Sequence, residues 1–578
     1  MSKRRGRRKK RFPVALLIVI IVVVVAAGVG GIVYAKKFAP TTDTVNLTKY
    51  YNLDAYTKED GTEVAAAADD EIAIVLEDEI TEERALLKDG HAYIKYSYVR
   101  NNVDSRFYYD SINKKLIVTN ALQTITADAG QTGYSVDGES KSTDYAVTIE
   151  AGDTVYICAD FMDEFSSSHS TVCDNPRRVM IAHETGTFKV ATAKKNTQIR
   201  IRGGNKSEVV SQLAKGSKVT VLEDLDDWLE VVDETGYIGY VKTNALSKVE
   251  EETRESDYDE PEYTHITFDG KINMAWQAVY YYGGDEDISE LAASADSMNV
   301  VSPRWYALED TEGTVGISSR GEYVEYAHEQ GWKVWAMMDD VSTEYSSAVL
   351  TDTNKRQKVI NTIVEDAMKE GVDGLNVDFE RISTEDGEDY IQFIRELSIV
   401  CRRNGITLSV DNYTPYSYNE CYHVDEQNQV VDYVVIMAYD NYLGTGEAGP
   451  NSGLTFLAEV MSVTLEQVDE DRLVIALPFY SRLWVDSGEG NLEHEEYGMD
   501  DTRSIVANNG AEFTWDSTEG LNYAEYESSG ATVKAWLEDA DSIDAKLSYL
   551  STYNIAGVSW WRLGQESSDV WETISKYY

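Results

Sequence analysis

The longest apolar run lies near the start of the chain: residues 13–35, PVALLIVIIVVVVAAGVGGIVYA, hold no charge. Wound as a helix at about 1.5 Å per residue, the run spans roughly 34 Å, enough for a hydrocarbon core of about 30 Å. A secretory signal has an apolar region of only about 7 to 15 residues, so the length favours an uncleaved transmembrane helix. Residues 36–68 show no sustained period and read as a spacer. From 69 to 182 come short alternating runs, among them HAYIKYSYV, KLIVT and TVYICADF, separated by Gly, Asn and Asp; they predict antiparallel strands and a mainly β domain. Five further strand-like runs at even spacing over 192–248 predict a small β-barrel. Residues 249–263, VEEETRESDYDEPEY, are acidic, almost without apolar content, and read as a linker.

From 264 to 578 the pattern changes. Eight buried-looking strands (INMAWQAV, NVVSPRWYAL, WKVWAMM, DGLNVDFE, ITLSVDN, VDYVVIMAYD, RLVIALPFY and IAGVSWW) alternate with helical stretches such as NKRQKVINTIVEDAMKEG. Such alternation predicts a TIM (β/α)8 barrel. A doubly wound sheet is the competing fold. Against it, no glycine-rich turn follows the first strand, and polar and aromatic residues gather at the C-terminal ends of several strands, where barrel enzymes keep their sites. Roughly 483–540, between the seventh and eighth strands, is too long for a loop and predicts an inserted α+β segment. Its Trp515, Tyr523, Tyr526 and Trp536 would serve either a cleft wall or core packing.

Charge sharpens this picture. The formal net charge is −49, from 52 Lys plus Arg against 101 Asp plus Glu. Eight of those cations (Lys3, Arg4, Arg5, Arg7, Arg8, Lys9, Lys10 and Arg11) lie in the first twelve residues, leaving the remainder still more acidic. They outnumber Lys36 and Lys37 beyond the apolar run, which holds residues 1–12 as a cytoplasmic tail and puts everything later outside the cell. The acidity excludes nucleic acid as a partner, because non-specific binding there depends on cations that neutralise phosphates. Cys158, Cys173, Cys401 and Cys421 allow three pairings, with 158/173 and 401/421 nearest in sequence; buried free thiols are an equal reading, and no spacing resembles a zinc site.

The fourth strand of the large domain carries the chemistry. With a period of two, Asn376, Asp378 and Glu380 share one face while Leu375, Val377 and Phe379 share the other. Because the opposite face and neighbouring strands are apolar, the carboxyls are expected to be partly buried. An EF-hand calcium loop is excluded by the absent glycine and distant acidic ligand. A carboxyl beside another in a low-dielectric mouth has a raised pKa, as a general acid needs, and Glu380 is outermost on the strand.

This strand, 373 to 380, resembles the D-x-x-D-x-D-x-E signature of glycoside hydrolase family 18, the chitinase-like family. Met437-Ala438-Tyr439-Asp440 and Gly557-Val558-Ser559-Trp560-Trp561 agree with it. MAWQAV, VVSPRWYAL, GWKVWAM, KAWLEDADSIDAKL and AGVSWWRLGQE look most like the peptidoglycan-hydrolysing branch that includes spore cortex-lytic enzymes. The resemblance implies a retaining, substrate-assisted mechanism. Glu380 would protonate the glycosidic oxygen, the sugar's 2-acetamido carbonyl would attack the anomeric carbon, and Asp378 would hold the acetamido N–H and stabilise the oxazolinium ion. Tyr439 would hydrogen-bond the acetamido oxygen and Trp561 would floor the sugar. Asp440 would support Asp378 and Tyr439, and Asn376, Met437 and Trp276 complete the substrate-binding set. The chain departs from the pattern at Asn376, where the family has Asp, so no second carboxylate is expected beside Asp378; it departs again at Gln565-Glu566-Ser567, where the family has Glu-Asp.

Residues 192–248 look like a bacterial SH3 domain, on IRIRGG, LAKGSKVTVLE, DDWLEV and GYIGYVKTNAL, which implies wall-peptide binding or a spacer role. Trp228, Tyr237 and Tyr240 would line a groove or, in so small a barrel, the core. DGHAYIKYSYVRNNVDSRFYYDSINKKLIVT resembles non-catalytic stalk domains related to the N-terminal domain of copper amine oxidases. Trp276 and Trp305 on the first two barrel strands are expected either to floor outer subsites or to pack the core. Together these features point to a membrane-anchored hydrolase of N-acetylglucosamine glycan, peptidoglycan first, that needs no metal or organic cofactor. The alternatives are the same chemistry on chitin and a non-catalytic glycan-binding wall protein.

Overall fold

The computed structural model describes residues 14–58, 60–183, 185–256, 258–279, 287–488, 490 and 492–578. They fall into two units, one of Met1–Asp104 with Thr143–Glu260, the other of Ser105–Ser142 with Pro261–Tyr578. The basic tail expected over 1–12 lies outside the described residues.

The apolar run is helical over Val14–Phe38. The transmembrane helix expected over 13–35 is not supported by the described residues, among which no helix is long and apolar enough to cross a membrane. The run's valines 22 to 25 are each more than half exposed.

In the first unit a seven-stranded sheet runs in the order Thr148–Ala151, Thr154–Cys158, His91–Lys95, Glu79–Lys88, Glu71–Leu76, Arg178–His183, Ser168–Cys173. Only Glu71–Leu76 and Arg178–His183 pair in parallel. A second seven-stranded sheet, from Gly186–Thr192 to Glu250–Arg254, closes around Ile199, Leu213, Leu229, Val231 and Val241. Part of the acidic stretch read as a linker is thus a strand, Glu250–Arg254 paired antiparallel with Gly186–Thr192. Backbone groups make that pairing, and Glu252 is matched by Lys218 at 2.6 Å and Arg254 at 3.0 Å, so charge does not oppose it. The spacer is also partly ordered: Asn46 caps the short helix Leu47–Tyr50, and Val45 and Tyr51 are buried.

The second unit holds the barrel. Its strands are β1 (Ile272–Gln277), β2 (Val300–Leu308), β3 (Lys333–Asp339), β4 (Gly374–Asp378), β5 (Thr407–Tyr413), β6 (Tyr433–Met437), β7 (Leu473–Pro478) and β8 (Gly557–Trp561). Each pairs in parallel with its sequence neighbours, and β8 pairs with β1, closing the sheet. Alternation sorts the side chains. Met274, Trp276, Trp335, Met337, Val435 and Val474 fill the barrel interior, while Leu375, Val377, Leu408 and Val434 pack outward under the helices. Between β7 and β8 lies the expected α+β insertion, a five-stranded antiparallel sheet with the helix Met499–Asn508.

Residues 105–142, placed with the stalk by their alternation, instead form a separate five-stranded meander in the barrel's unit. Alternation marks a strand without saying which sheet receives it; here side-chain partners decide. Asp110 accepts the backbone N–H of Thr353 at 2.8 Å, putting a carboxylate at the N-terminus of the helix Thr353–Glu370. Arg356 donates to the Tyr108 hydroxyl at 3.1 Å, which itself donates to Asp389. From the helix Gly387–Asn404, Arg395 reaches the Ser105 carbonyl at 3.0 Å and Arg402 the Ala121 carbonyl at 2.7 Å.

Candidate active site

β4 begins where two neighbours press closest. A Cβ on Gly374 would stand 2.5 Å from the Trp335 ring and 2.9 Å from the Thr407 carbonyl, so only glycine fits. Just before it, Asp373 accepts the Val334 N–H at 2.9 Å and pairs with His328 and Lys333, clipping β4 to β3 at the closed end of the barrel. The first acid of the motif is therefore structural.

Beyond the glycine the period of two holds. Leu375, Val377 and Phe379 enter the outer core, where Phe379 stacks on Phe393 at 5.5 Å. Asn376 and Asp378 are buried on the other face. The cleft at the C-terminal end, about 460 Å³, is lined by Asp378, Glu380, Tyr439, Asp440, Met437, Trp561 and Trp276 among the expected residues. Asp411, Tyr413, Tyr480 and Glu496 line it as well.

Asn376, expected in substrate contact, is not a lining residue. It is fully buried, accepts from Trp276 Nε1 at 2.8 Å and Ser302 Oγ at 3.2 Å, and donates to Ser409 Oγ at 3.0 Å and Asp411 Oδ1 at 2.7 Å. Its amide is fully committed, holding the Trp276 ring on one side and Asp411 on the other. The expectation that Asp378 lacks a second carboxylate is corrected here: Asp411 supplies one from β5. Burial pushes the Asp378 carboxyl well above the usual range, and Glu380 and Asp411 push it further. Burial likewise raises Asp411, against the pull of the Asn376 hydrogen bond. Asp378 Oδ1 is buried without a hydrogen-bond partner among the described residues.

Glu380 Oε2 accepts a hydrogen bond from the Tyr413 hydroxyl. Burial, with Glu380 and Asp378 nearby, keeps the hydroxyls of Tyr413 and Tyr439 protonated far above neutrality. Asp440 sits at a left-handed φ of 62° and supports a different pair from the one expected: it accepts from the Tyr480 hydroxyl and from Arg482 Nη2 at 2.8 Å. Tyr480 meets the Tyr439 ring edge to face at 6.3 Å, so Asp440 bears on Tyr439 through Tyr480. Trp561 lies against Trp276, ring centroids 5.8 Å apart, and the peptide bond after it is cis.

Other aromatics lie elsewhere. Trp305 is buried in the outer core against Tyr323 at 5.0 Å, not in the cleft. Of the insertion, Tyr480 and Glu496 reach the cleft; Tyr523 and Trp536 form a cross-strand pair at 4.8 Å, Tyr526 packs on the insertion's own core, and Trp515 is exposed. Glu566 accepts from the Gly564 N–H at 2.8 Å and Trp571 Nε1 at 3.3 Å, giving the altered strand-eight motif its own support. In the first unit Trp228, Tyr237 and Tyr240 are half-buried; Tyr237 packs against the small barrel's core and carries Arg178 over its ring at 4.2 Å. All four cysteines are free. Cys158 lies with His91 and Asp160 inside 4.8 Å, but burial pushes its thiol up to about 12, away from the thiolate a metal needs.

Asp411 and Tyr413 were missed, although ITLSVDNY obeys the same rule as β4. Ser409, Asp411 and Tyr413 share a face at period two, and two polar inward positions on a central strand are as informative there as on β4.

Residues 277–566 match the model of the family described as glycosyl hydrolases family 18. The chain belongs to this family. Within it, residues 195–247 match the bacterial SH3 domain. This family 18 chain is 25% identical over 245 residues to the cortical fragment-lytic enzyme of Bacillus subtilis (strain 168), covering 41% of this chain and 57% of that one. It is 22% identical over 329 residues to the uncharacterized glycosylase YvbX of the same organism, covering 53% and 93%. The crystal structure of the Bacillus cereus spore cortex-lytic enzyme SleL is similar at 21% identity and a TM-score of 0.48, covering 54% and 74%. The chain thus spans little more than half the length of the cortical fragment-lytic relative.

Proposed function

We propose that the protein is a membrane-anchored glycosidase that faces the cell wall and cleaves β-1,4-linked N-acetylglucosamine glycan, peptidoglycan first, by a retaining substrate-assisted mechanism. One observation carries the reading: Asp378 Oδ1, buried and without a partner, stands at the cleft beside Glu380. A buried acceptor left open is costly, and the N–H of a 2-acetamido group would satisfy it. With that N–H held, the acetamido carbonyl attacks the anomeric carbon as Glu380 gives its proton to the departing oxygen. The oxazolinium cation then forms beside Asp378 and Asp411, where negative charge stabilises it most in a dry site. Tyr439, its hydroxyl protonated, donates to the acetamido oxygen, and the flat face of the sugar rests on Trp561. Water next attacks the anomeric carbon from the side the leaving group vacated, passing its proton to Glu380, and configuration is retained.

Peptidoglycan is favoured by the likeness to a cortical fragment-lytic enzyme and by the SH3 match, which suits wall peptide as a second ligand. Anchoring is favoured by the uncharged run 13–35 with its preceding cations. The test is digestion of purified peptidoglycan and of chitin oligomers by the detergent-solubilised protein and its Glu380→Gln variant, with new ends identified by mass spectrometry. New N-acetylglucosamine reducing ends from peptidoglycan, absent with the variant, are expected. Cleavage of chitin alone moves the substrate to chitin, and retention on the wall without cleavage makes this a binding protein. Alkaline carbonate extraction of membranes tests the anchor: release into the supernatant refutes it.

A further inference from the structure

Val377 on β4 is level with Val410 on β5, so the next residues inward, Asp378 and Asp411, stand side by side on adjacent parallel strands. Strand spacing puts such neighbours about 4.8 Å apart. Both are buried, at 7% and 2% exposure, and both line the cleft. We infer that Asp378 and Asp411 act as one acid pair holding a single proton, with Asp411 the positioning residue that keeps the proton while Asp378 faces the sugar as a carboxylate. The catalytic consequence rests on the glycosidase reading; the pair itself does not.

Two carboxylates side by side in a low dielectric cannot both ionise cheaply, and they titrate as a pair. The other charged groups around Asp378 do not replace Asp411 in this. Asp339 is held by Arg304 at 2.7 Å, and Asp340 by Arg381 at 3.0 Å. Glu380 has its own hydrogen bond from Tyr413, and the hydroxyls of Tyr413 and Tyr439 stay protonated. Asp411 Oδ1 is committed to Asn376 Nδ2 at 2.7 Å, which aims the carboxyl and leaves its second oxygen to carry the shared proton. Asn376 fits this arrangement and Asp would not: the position must donate to Asp411 while accepting from Trp276 and Ser302, as an amide does. During reaction the acetamido N–H stays on nitrogen, the leaving oxygen takes the Glu380 proton, and the pair's proton remains on Asp411. The pair therefore presents one net negative charge to the oxazolinium ion with no proton moving between its members and the substrate.

The test compares the full-length protein with Asp411→Asn and with the exchange Asn376→Asp plus Asp411→Asn, which returns the second carboxyl to β4 and keeps a donor–acceptor pair between the positions. Infrared pH titration of the carboxyl band counts buried protons without substrate, and kcat against pH is read on wall glycan. In Asp411→Asn one buried carboxyl proton should vanish, and the acidic limb of kcat should rise by about one pH unit, because the Asp378 carboxylate loses the shared carboxyl proton that stabilises its charged form. The exchange should restore both. An unmoved limb with a uniform loss of kcat, or an unchanged proton count in Asp411→Asn, overturns the proposal. Loss and restoration of the proton in a protein inactive on every glycan upholds the pair and refutes the glycosidase reading instead. Should Asp411→Asn fail to fold, the exchange variant alone decides, since its limb and proton count must match the wild type.

Discussion

The Tyr413 hydroxyl, on the last residue of β5, donates its hydrogen bond to Oε2 of Glu380, just beyond β4. In the proposed mechanism, with Oε2 committed as an acceptor, the proton that Glu380 transfers is left on Oε1, and the carboxylate formed after transfer keeps a donor. A hydrogen bond to a charged group contributes about 1.5 to 3 kcal/mol. Tyr413→Phe should therefore lower kcat by roughly 10- to 100-fold with KM nearly unchanged. Steady-state kinetics on wall fragments check this, and an unaltered kcat would sink the assignment.

Glu426 gives the stability a pH dependence. Burial would raise its carboxyl, but His423 at 3.2 Å, Arg395, and Ser105 at 3.0 Å outweigh it and hold it at about 2. Since the folded value lies below the ordinary 4.5, this stabilisation is complete above pH 4.5 and is lost as pH falls toward 2. Glu426→Gln should cost up to about 3 kcal/mol at pH 7 and almost nothing near pH 2. Urea unfolding at several pH values reads the difference; a penalty independent of pH would refute the cause given.

Arg356 and Glu396 form an ion pair 3.2 Å apart with both side chains almost fully buried, and Arg356 also donates to Tyr108 of the meander. Arg356→Met leaves Glu396 buried without its cation and should cost about 3 to 5 kcal/mol. The double variant Arg356→Met with Glu396→Leu should recover much of that loss. Denaturant midpoints for both decide the matter.

The thiols offer an inexpensive check on the chain's chemistry. All four are free, and Cys158 and Cys401 are buried. A thiol reagent at pH 8 should leave these two unmodified until denaturant is added, and reductant should not move the Tm. A reductant-dependent Tm would establish a disulfide and contradict the fold.

Much of this protein can be read directly from its residues. Eight apolar runs spaced by helical stretches are enough for a (β/α)8 barrel, because strand and helix periods are local properties. The face shared by Asp378 and Glu380 follows from one strand's alternation, as does the outward face of Leu375, Val377 and Phe379. The roles of Asn376 and Asp440 were read less well, since each depends on which side chains arrive from other strands.

What the sequence determined by itself, then, is the barrel and the acidic strand that opens into its mouth, both legible because each depends on neighbours within a few residues. Only the tertiary structure decided that the second carboxyl comes from Asp411, that Tyr413 holds Glu380, and that residues 105–142 lie on the barrel helices rather than in the stalk sheet. Those facts depend on strand register and on partners more than thirty residues away, and alternation within a strand is the same whichever sheet receives it.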